Sequence, residues 1–177
     1  GCRIAIFGCG PIGILTARVA QLAGASAIYA TEPLAHRRDA ALRYGATAVF
    51  DPEREDVVRA IRDATQGEGV DVVFDLAGSQ SATTDALRVL CPGGTAVLVG
   101  YWKADQITLA GISAMRKGLT LRFVRRMKNT FDRAIELARL GLVDLEPLIS
   151  HEFSLDDVAE GFARAEQRGP DILKAVI

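Results

Sequence analysis

The sequence contains few cysteines, no long block of one charge and no long apolar run. Its three cysteines, Cys2, Cys9 and Cys91, are too few and too unevenly spaced for a disulfide framework or a cysteine metal knuckle. Acidic and basic residues are mixed along the chain, and the formal net charge is −1, which gives no reason to expect nucleic acid or an anionic membrane as a partner. No apolar run reaches the length of a membrane span and no signal segment opens the chain, so we expect a cytoplasmic protein.

Short apolar segments rich in β-forming residues alternate with amphipathic segments over most of the 177 residues. Near-continuous apolar strands joined by helices are typical of a parallel sheet covered on both faces. The sequence therefore predicts a doubly wound α/β fold. Its predicted strands are 3–7, 26–31, 47–50, 70–76, 95–100 and 119–124, and its predicted helices are 11–23, 34–44, 56–65, 81–90 and 111–117.

The pattern changes after Val124. A helix is predicted over 130–140, followed by an irregular stretch over 141–153 and a strand over 173–177. Between them, Ser154 is expected to open a helix with Asp157 as its capping-box partner. We therefore divide the chain into a dinucleotide-binding domain over 1–124 and a separate segment over 125–177.

A glycine-rich turn follows the first predicted strand. Its glycines have the spacing G-x-G-x-x-G between a strand and a helix, the context in which this motif binds the pyrophosphate of a dinucleotide. Gly8 permits the tight turn, Gly10 lets the backbone approach the pyrophosphate, and Gly13 lets the helix lie close to the strand. Pro11 takes a first helical position, where its missing N–H costs nothing, and Ile12 completes the turn. A tight turn without a ligand is the alternative interpretation.

Glu32 follows the second predicted strand, about 20 residues beyond the glycines, where a carboxylate is expected to accept hydrogen bonds from a ribose hydroxyl. A carboxylate at this point repels the 2′-phosphate of NADP, so the sequence favours NAD. Arg37 and Arg38 are close enough in the sequence to bind that phosphate, although Arg37 could instead stack beside the adenine. A solvated loop carboxylate and two exposed helix arginines are the alternatives.

The ends of two later strands supply the rest of the predicted pocket, because ligands of open parallel sheets bind outside the carboxyl ends of the strands. One end carries Ala77, and the other carries Val99 and Gly100. Small residues there would let a flat nicotinamide lie against the backbone. Plain strand termination explains the same residues.

Several segments, in order along nearly the whole chain, carry a more specific signal. They are FGCGPIG, TEP, YGATAVFD, GVDVVFDLAGS, LCPGGTAVLVG and LVDLEPLISHEFSLDDVAEGF. Together they resemble the cofactor-binding half of zinc-dependent medium-chain alcohol dehydrogenases, closest to the polyol branch that includes sorbitol dehydrogenase. The resemblance implies a Rossmann fold, NAD as the cofactor, an alcohol or polyol as the substrate, and a homo-oligomer.

The resemblance also implies which residues hold the cofactor. In that family the glycine turn, an acid matching Glu32, a basic residue matching Arg37 and a turn matching Val99, Gly100 and Tyr101 hold NAD. Two further positions carry over in the same way. Arg126 matches an arginine that touches both cofactor and substrate, and Lys174 matches a basic residue that often faces the cofactor phosphates.

The family binds its catalytic zinc on an amino-terminal domain that precedes the first strand of this sequence. We therefore expect no metal site and no catalytic residue here, where the two histidines, His36 and His151, stand without ligand spacing. Segment 125–177 is expected to pack on that domain, and this chain alone is expected to bind cofactor with little or no turnover.

Other classes of protein share parts of this pattern. An S-adenosylmethionine-dependent methyltransferase has similar middle strands and an acid after the second strand, but Gly13 and the segment SHEFSLDDVAEGF argue against it. A non-catalytic dinucleotide sensor stays open. Among enzymes, a zinc-free quinone reductase relative also stays open, although Glu32 disfavours it because that branch usually prefers NADP.

Overall fold

The computed structural model describes residues 1–103, 105–126, 129–167 and 171–177. Six parallel strands form its main sheet in the order β3-β2-β1-β4-β5-β6. They are β1 (Arg3–Phe7), β2 (Ala27–Thr31), β3 (Ala48–Phe50), β4 (Val70–Asp75), β5 (Leu90–Leu98) and β6 (Thr120–Phe123). The order reverses between β1 and β4, which is the switch point at which doubly wound sheets bind ligands. The predicted fold is confirmed.

Helices follow the strands in turn. They are α1 (Pro11–Leu22), α2 (Ala35–Arg43), α3 (Val57–Ala64), α4 (Gln80–Val89), α5 (Gly111–Lys117), α6 (Phe131–Arg139) and α7 (Val158–Glu166). Among the residues that the structure describes, no helix is long and apolar enough to cross a membrane.

Two apolar cores cover the two faces of the sheet. Ile4 and Ile6 of β1 pack in the core formed with α1 and α2, whereas Ala5 and Phe7 pack in the core formed with α3 and α4. Successive side chains of a strand point to opposite faces, so a strand that is buried on both faces must be apolar throughout. This arrangement explains the near-continuous apolar runs of the sequence.

Segment 125–177 packs in part against α1 and α2. The Arg18 Nε donates to the carbonyl oxygen of Leu142 at 2.7 Å, and the Tyr44 hydroxyl donates to that of Asp144 at 2.8 Å. Leu148 is buried in the α1 and α2 core. Two short parallel strands, β7 (His151–Glu152) and β8 (Ala175–Val176), form a second sheet.

Three details of the sequence prediction are wrong. β5 begins at Leu90 rather than residue 95, because Leu90 pairs with Val70 ahead of an irregularity in the register. The stretch 141–153 is not irregular throughout, since it contains a 3₁₀ turn and β7. The Ser154 hydroxyl donates to the Asp157 carboxylate at 2.6 Å instead of capping a helix, and a 3₁₀ turn separates Ser154 from the start of α7 at Val158.

Candidate functional site

A cleft of about 710 Å³ opens at the carboxyl ends of β1, β2 and β4. Five of the predicted cofactor residues line it: Gly8, Gly10, Glu32, Arg37 and Ala77. They come from three separate parts of the sequence, and the parallel strand order brings them to one edge of the sheet.

The three glycines of the turn have different neighbours. Gly8 has a φ of +98°, a left-handed conformation that favours glycine, and a Cβ there would lie 3.0 Å from the Ala77 nitrogen. A Cβ on Gly13 would collide with the carbonyl oxygen of Gly8, so α1 lies as close to the turn as the motif predicts. At Gly10, in contrast, no atom of the described residues other than Gly10 and its two chain neighbours lies within 4 Å of the Cβ position. The packing of this chain therefore does not explain why position 10 lacks a side chain.

Glu32 lies at the end of β2 with only 5% of its surface exposed. Its Oε2 accepts a hydrogen bond of 2.8 Å from the Cys9 N–H, and its Oε1 accepts one of 3.2 Å from the Leu34 N–H. The carboxylate thus holds the glycine turn and the start of the β2–α2 loop together. Each carboxylate oxygen can accept more than one hydrogen bond, so Glu32 can still receive a hydroxyl from the cleft.

The thiol of Cys9 is buried beneath this carboxylate. Burial, reinforced by the negative charge of Glu32, raises the pKa of Cys9 to about 12. The thiol is therefore protonated at neutral pH and acts as a small packed group.

The two neighbouring arginines of α2 have different positions. Arg37 lines the cleft, and its Nη2 donates to the carbonyl oxygen of Ile172 at 3.4 Å, beside the His36 Nε2 at 3.1 Å from the same oxygen. The Arg37 Nε is buried with no hydrogen-bond partner among the described residues. Arg38 lies outside the cleft lining and contacts backbone carbonyls and Asp51.

A buried carboxylate organises the turn after β4. Asp75 is fully buried, and its Oδ1 accepts from the N–H groups of Ala77 at 3.1 Å and Gly78 at 3.3 Å. Its Oδ2 accepts a hydrogen bond of 2.6 Å from the Thr83 hydroxyl on α4. These bonds fix the backbone of Ala77 where it borders the cleft.

The ends of β4 and β5 are in close contact. The Asp75 carbonyl accepts hydrogen bonds of 2.8 Å from the N–H groups of both Val99 and Gly100. Gly78 has a φ of +63°, and a Cβ there would lie 2.6 Å from the carbonyl oxygen of Tyr101. The small residues at these strand ends therefore have a packing role in addition to the predicted contact with a nicotinamide ring.

The remaining predicted residues lie outside the lining of this cleft. They are Pro11, Ile12, Gly13, Val99, Gly100, Tyr101, Arg126 and Lys174. Tyr101 is 94% exposed, and Arg126 and Lys174 are exposed as well. The neighbours of Arg126, Met127 and Lys128, lie outside the described residues. Contact of this set with a cofactor stays a prediction.

Sequence reasoning missed five polar or proline residues of the cleft that follow β3 and β4. They are Pro52 and Glu53 after β3 and Ser79, Ser81 and Asp85 around the start of α4. Ser79 caps α4, because its hydroxyl oxygen accepts from the Ala82 N–H at 3.3 Å. A serine between a predicted strand and a predicted helix indicates such a cap, so this residue could have been found. Burial raises the pKa of Asp85, but no pattern in the sequence singles that residue out.

Metal-ligating side chains are scattered. Within 1–103, 105–126, 129–167 and 171–177, no group of three or more His, Cys, Asp and Glu residues could hold a metal ion.

Comparison with known proteins gives one family. The protein-family model described as zinc-binding dehydrogenase matches residues 11–139. L-Threonine 3-dehydrogenase of Caldanaerobacter subterraneus subsp. tengcongensis is 37% identical over 164 residues, which cover 91% of this chain and 47% of that protein. Sorbitol dehydrogenase of Bacillus subtilis is 30% identical over 177 residues, which cover 100% of this chain and 50% of that protein. The chain thus spans about half the length of the curated relatives it matches.

Solved structures match over the same extent. Alcohol dehydrogenase TADH from Thermus sp. ATN1 aligns with a TM-score of 0.92 and 30% identity, covering 99% of this chain and 50% of that one. A zinc-binding dehydrogenase of Sinorhizobium meliloti, solved bound to NADP, aligns with a TM-score of 0.85 and 31% identity, covering 90% of this chain and 48% of that one.

Proposed function

Because the chain belongs to the zinc-binding dehydrogenase family, we propose that it is the NAD(H)-binding half of a dehydrogenase that oxidises an alcohol or polyol. The observation that carries the proposal is the open face of Gly10, which borders the cleft in a turn where the other two glycines are both required by packing. An empty Cβ position beside a cleft is what close approach of a pyrophosphate requires.

The residues present fit a dinucleotide. The turn at Gly10 would receive the pyrophosphate at the N-terminus of α1, and Glu32 would receive a hydroxyl of the adenosine ribose. Arg37 would lie beside the adenosine part, and its buried Nε has no hydrogen-bond partner among the described residues. When bound, a nicotinamide cofactor supplies hydride transfer to or from the substrate carbon. This chain's residues bind and orient it.

The preference for NAD over NADP rests on Glu32. Its carboxylate lines the cleft, and a negative charge there opposes a 2′-phosphate. One relative was solved with NADP bound, so the affinities for NAD and NADP are to be compared by titration.

Zinc belongs to the family's description, but the described residues do not fit a zinc ion. No step of the reaction is therefore assigned to a metal within them. We propose that zinc binding and the substrate alcohol belong to a catalytic domain outside 1–177, and that Arg126 and Lys174 approach the cofactor when that domain is present. On its own the chain is proposed to bind cofactor with little turnover.

Segment 125–177 is proposed to contact such a domain. Phe131 and Ile135 of α6 and Phe162 of α7 expose 62%, 61% and 70% of their surface, and large apolar side chains exposed in this way are typical of an interaction surface. The relatives' names support a dehydrogenase that acts on a small-molecule substrate, and we propose that the protein forms a homo-oligomer.

Titration calorimetry of the purified chain tests the proposal. We expect heat of binding with NAD and none with S-adenosylmethionine, which is the ligand of the methyltransferase alternative. Binding of S-adenosylmethionine in place of NAD would contradict the proposal. A dinucleotide sensor would also bind NAD, so the longer protein that contains this chain is assayed for NAD reduction with sorbitol and L-threonine, and a sensor would show no turnover.

A further inference from the structure

A nearly buried ion pair lies behind the wall of the cleft at its ribose end. The Arg38 Nη1 is 3.0 Å from the Asp51 Oδ2, and the two side chains expose only 17% and 11% of their surface. The same Nη1 donates to the backbone carbonyl oxygens of Glu32 and Pro33, both at 2.7 Å. Arg38 therefore binds the outer side of the segment whose inner side carries the Glu32 carboxylate.

Asp51 is fixed independently of Arg38. Its Oδ1 accepts a hydrogen bond of 3.0 Å from the Glu53 N–H, and its own N–H donates to the Glu55 Oε1 at 2.8 Å. The carboxylate thus occupies a set position in the loop after β3. A carboxylate held in place near a guanidinium neutralises it and keeps it there, because separating a partly buried pair leaves an uncompensated charge.

The two neighbouring arginines of α2 differ in their access to the cleft. Arg37 lines the cleft, whereas the adjacent Arg38 and Asp51 do not. An arginine is the side chain that binds a phosphate best, through its planar set of donors. Arg38 lies one residue from the cleft lining, and its position is set by Asp51 and two carbonyl groups.

We propose that Asp51 is a specificity-determining residue for the dinucleotide. Asp51 holds Arg38 behind the β2–α2 loop and neutralises its charge. Arg38 is therefore not available as a second arginine to bind the 2′-phosphate of NADP. Glu32 repels that phosphate from inside the cleft, and Asp51 removes the charge that would attract it. This inference rests on the proposed function and adds a residue that does not itself touch the ligand.

The test compares Asp51→Asn with the unaltered chain in titrations with NAD and NADP. Asparagine keeps an acceptor for the Glu53 N–H but lacks the charge that neutralises Arg38. We expect the Kd for NADP to fall by about tenfold, the usual gain from a new charge-assisted hydrogen bond, while the Kd for NAD stays within about twofold.

Two further variants test whether the gain in NADP affinity comes from the pair of Asp51 and Arg38. Asp63→Asn removes the same charge beside an arginine, but from the exposed Arg59–Asp63 pair of α3, and it should leave both Kd values unchanged. In the double variant Asp51→Asn with Arg38→Met, the gain for NADP should disappear. A gain that persists without Arg38 would overturn the proposal.

The outcomes separate this inference from the proposed function. If the unaltered chain binds NAD and a folded Asp51→Asn variant keeps the same ratio of NAD to NADP affinity, the inference alone is wrong. If the unaltered chain binds neither dinucleotide, the proposed function fails and the inference fails with it. Should Asp51→Asn not fold, Asp51→Ser removes the same charge with a smaller side chain, and an unchanged Kd for NADP in that folded variant would equally refute the role of Asp51.

Discussion

The carboxylate of Glu32 accepts a hydrogen bond of 2.8 Å from the backbone N–H of Cys9, so the acid at the end of β2 holds the turn that follows β1. A side chain at this position is usually considered only as a ligand for ribose. In this chain Glu32 has two roles. It lines the cleft, and its carboxylate oxygens accept hydrogen bonds that fix the glycine turn. Any variant of Glu32 must be interpreted with both roles in view.

Replacing Glu32 with alanine should weaken NAD binding by about 1–3 kcal/mol, the cost of losing charge-assisted hydrogen bonds. The difference between the affinities for NAD and NADP should narrow, because the repulsion of the 2′-phosphate is lost. Calorimetric titration measures both. Glu32→Gln keeps an acceptor for the turn and separates the loss of charge from the loss of loop support, and Glu53→Gln, at another cleft position, is the matched control. Unchanged NAD affinity in Glu32→Ala would remove Glu32 from the site.

Replacing Gly10 with valine should abolish dinucleotide binding with only a small change in melting temperature. Gly10 has an extended backbone with a φ of −66°, which any residue adopts, and its Cβ position is open. The added side chain therefore meets the pyrophosphate and not the protein. Thermal unfolding and NAD titration of the same sample check the two effects.

Gly13→Ala is the control for Gly10→Val, because it should affect stability where Gly10→Val should not. Its Cβ would collide with the Gly8 carbonyl, so this variant should lose about 1–3 kcal/mol of stability, as overpacked sites do, or about 2–4 °C in melting temperature for each kcal/mol. Normal NAD binding by a folded Gly10→Val variant would contradict the pyrophosphate site.

The buried thiol of Cys9 should make stability depend on pH in the alkaline range. Its pKa is about 12 in the fold against an ordinary value of 9.0, so the unfolded chain loses this proton first. As the pH rises from 9 to 12 the unfolded state binds fewer protons than the folded state, and the free energy of unfolding falls. The contribution of one such group is at most about 1.4 kcal/mol per pH unit.

Urea denaturation across this pH window measures the dependence. The Cys9→Ala variant should lose stability less steeply as the pH rises, and it keeps every other titrating group of the chain. Equal slopes for the variant and the unaltered chain would show that the thiol does not titrate as its burial implies.

The apolar surfaces of α6 and α7 should associate or stay weakly protected in the isolated chain. Phe131, Ile135 and Phe162 are exposed, whereas the residues of β1 and β4 are buried or half-buried. Hydrogen exchange with mass spectrometry should show slow exchange in β1 and β4 and faster exchange in α6 and α7. Sedimentation should show an average mass that rises with concentration and falls in Ile135→Ser.

Val19→Ser, which replaces an exposed apolar residue of α1, is the control for this association. Uniformly slow exchange across α6 and α7 in a demonstrated monomer would mean that these helices belong to the domain's own core. The proposed contact with a catalytic domain would then lose its physical support.

The strands, most of the helices and the glycine turn could be predicted from local patterns alone. β1 and β4 consist mostly of apolar residues because both faces of the sheet are covered, and the turn after β1 needs glycines at fixed positions for reasons of conformation and close contact. Local chemistry of this kind is visible in a single sequence. The strand order β3-β2-β1-β4-β5-β6 then brought Gly10, Glu32 and Ala77 to one cleft, as the rule for parallel sheets requires.

What the sequence did not predict depends on contacts between distant residues. β7 has two residues and exists because His151 pairs with Ala175, 24 positions later. Arg38 of α2 and Asp51 after β3 form an ion pair, and neither residue has a pattern that identifies the other. The Ser154 hydroxyl had two acceptable partners, and it bonds to the Asp157 side chain and not to a backbone N–H. Side-chain competition of this kind is decided by geometry, which a spacing rule does not contain.

The main sheet domain contacts segment 125–177 through donors that reach main-chain oxygen atoms. Arg18 and Tyr44 donate to the carbonyl groups of Leu142 and Asp144, and Arg37 donates to that of Ile172. Every amino acid has such a carbonyl group, so the identity of residues 142 and 144 is free to drift while the attachment persists. The attachment therefore depends on the donating side chains of Arg18 and Tyr44, so substitutions at positions 142 and 144 leave these two acceptors in place.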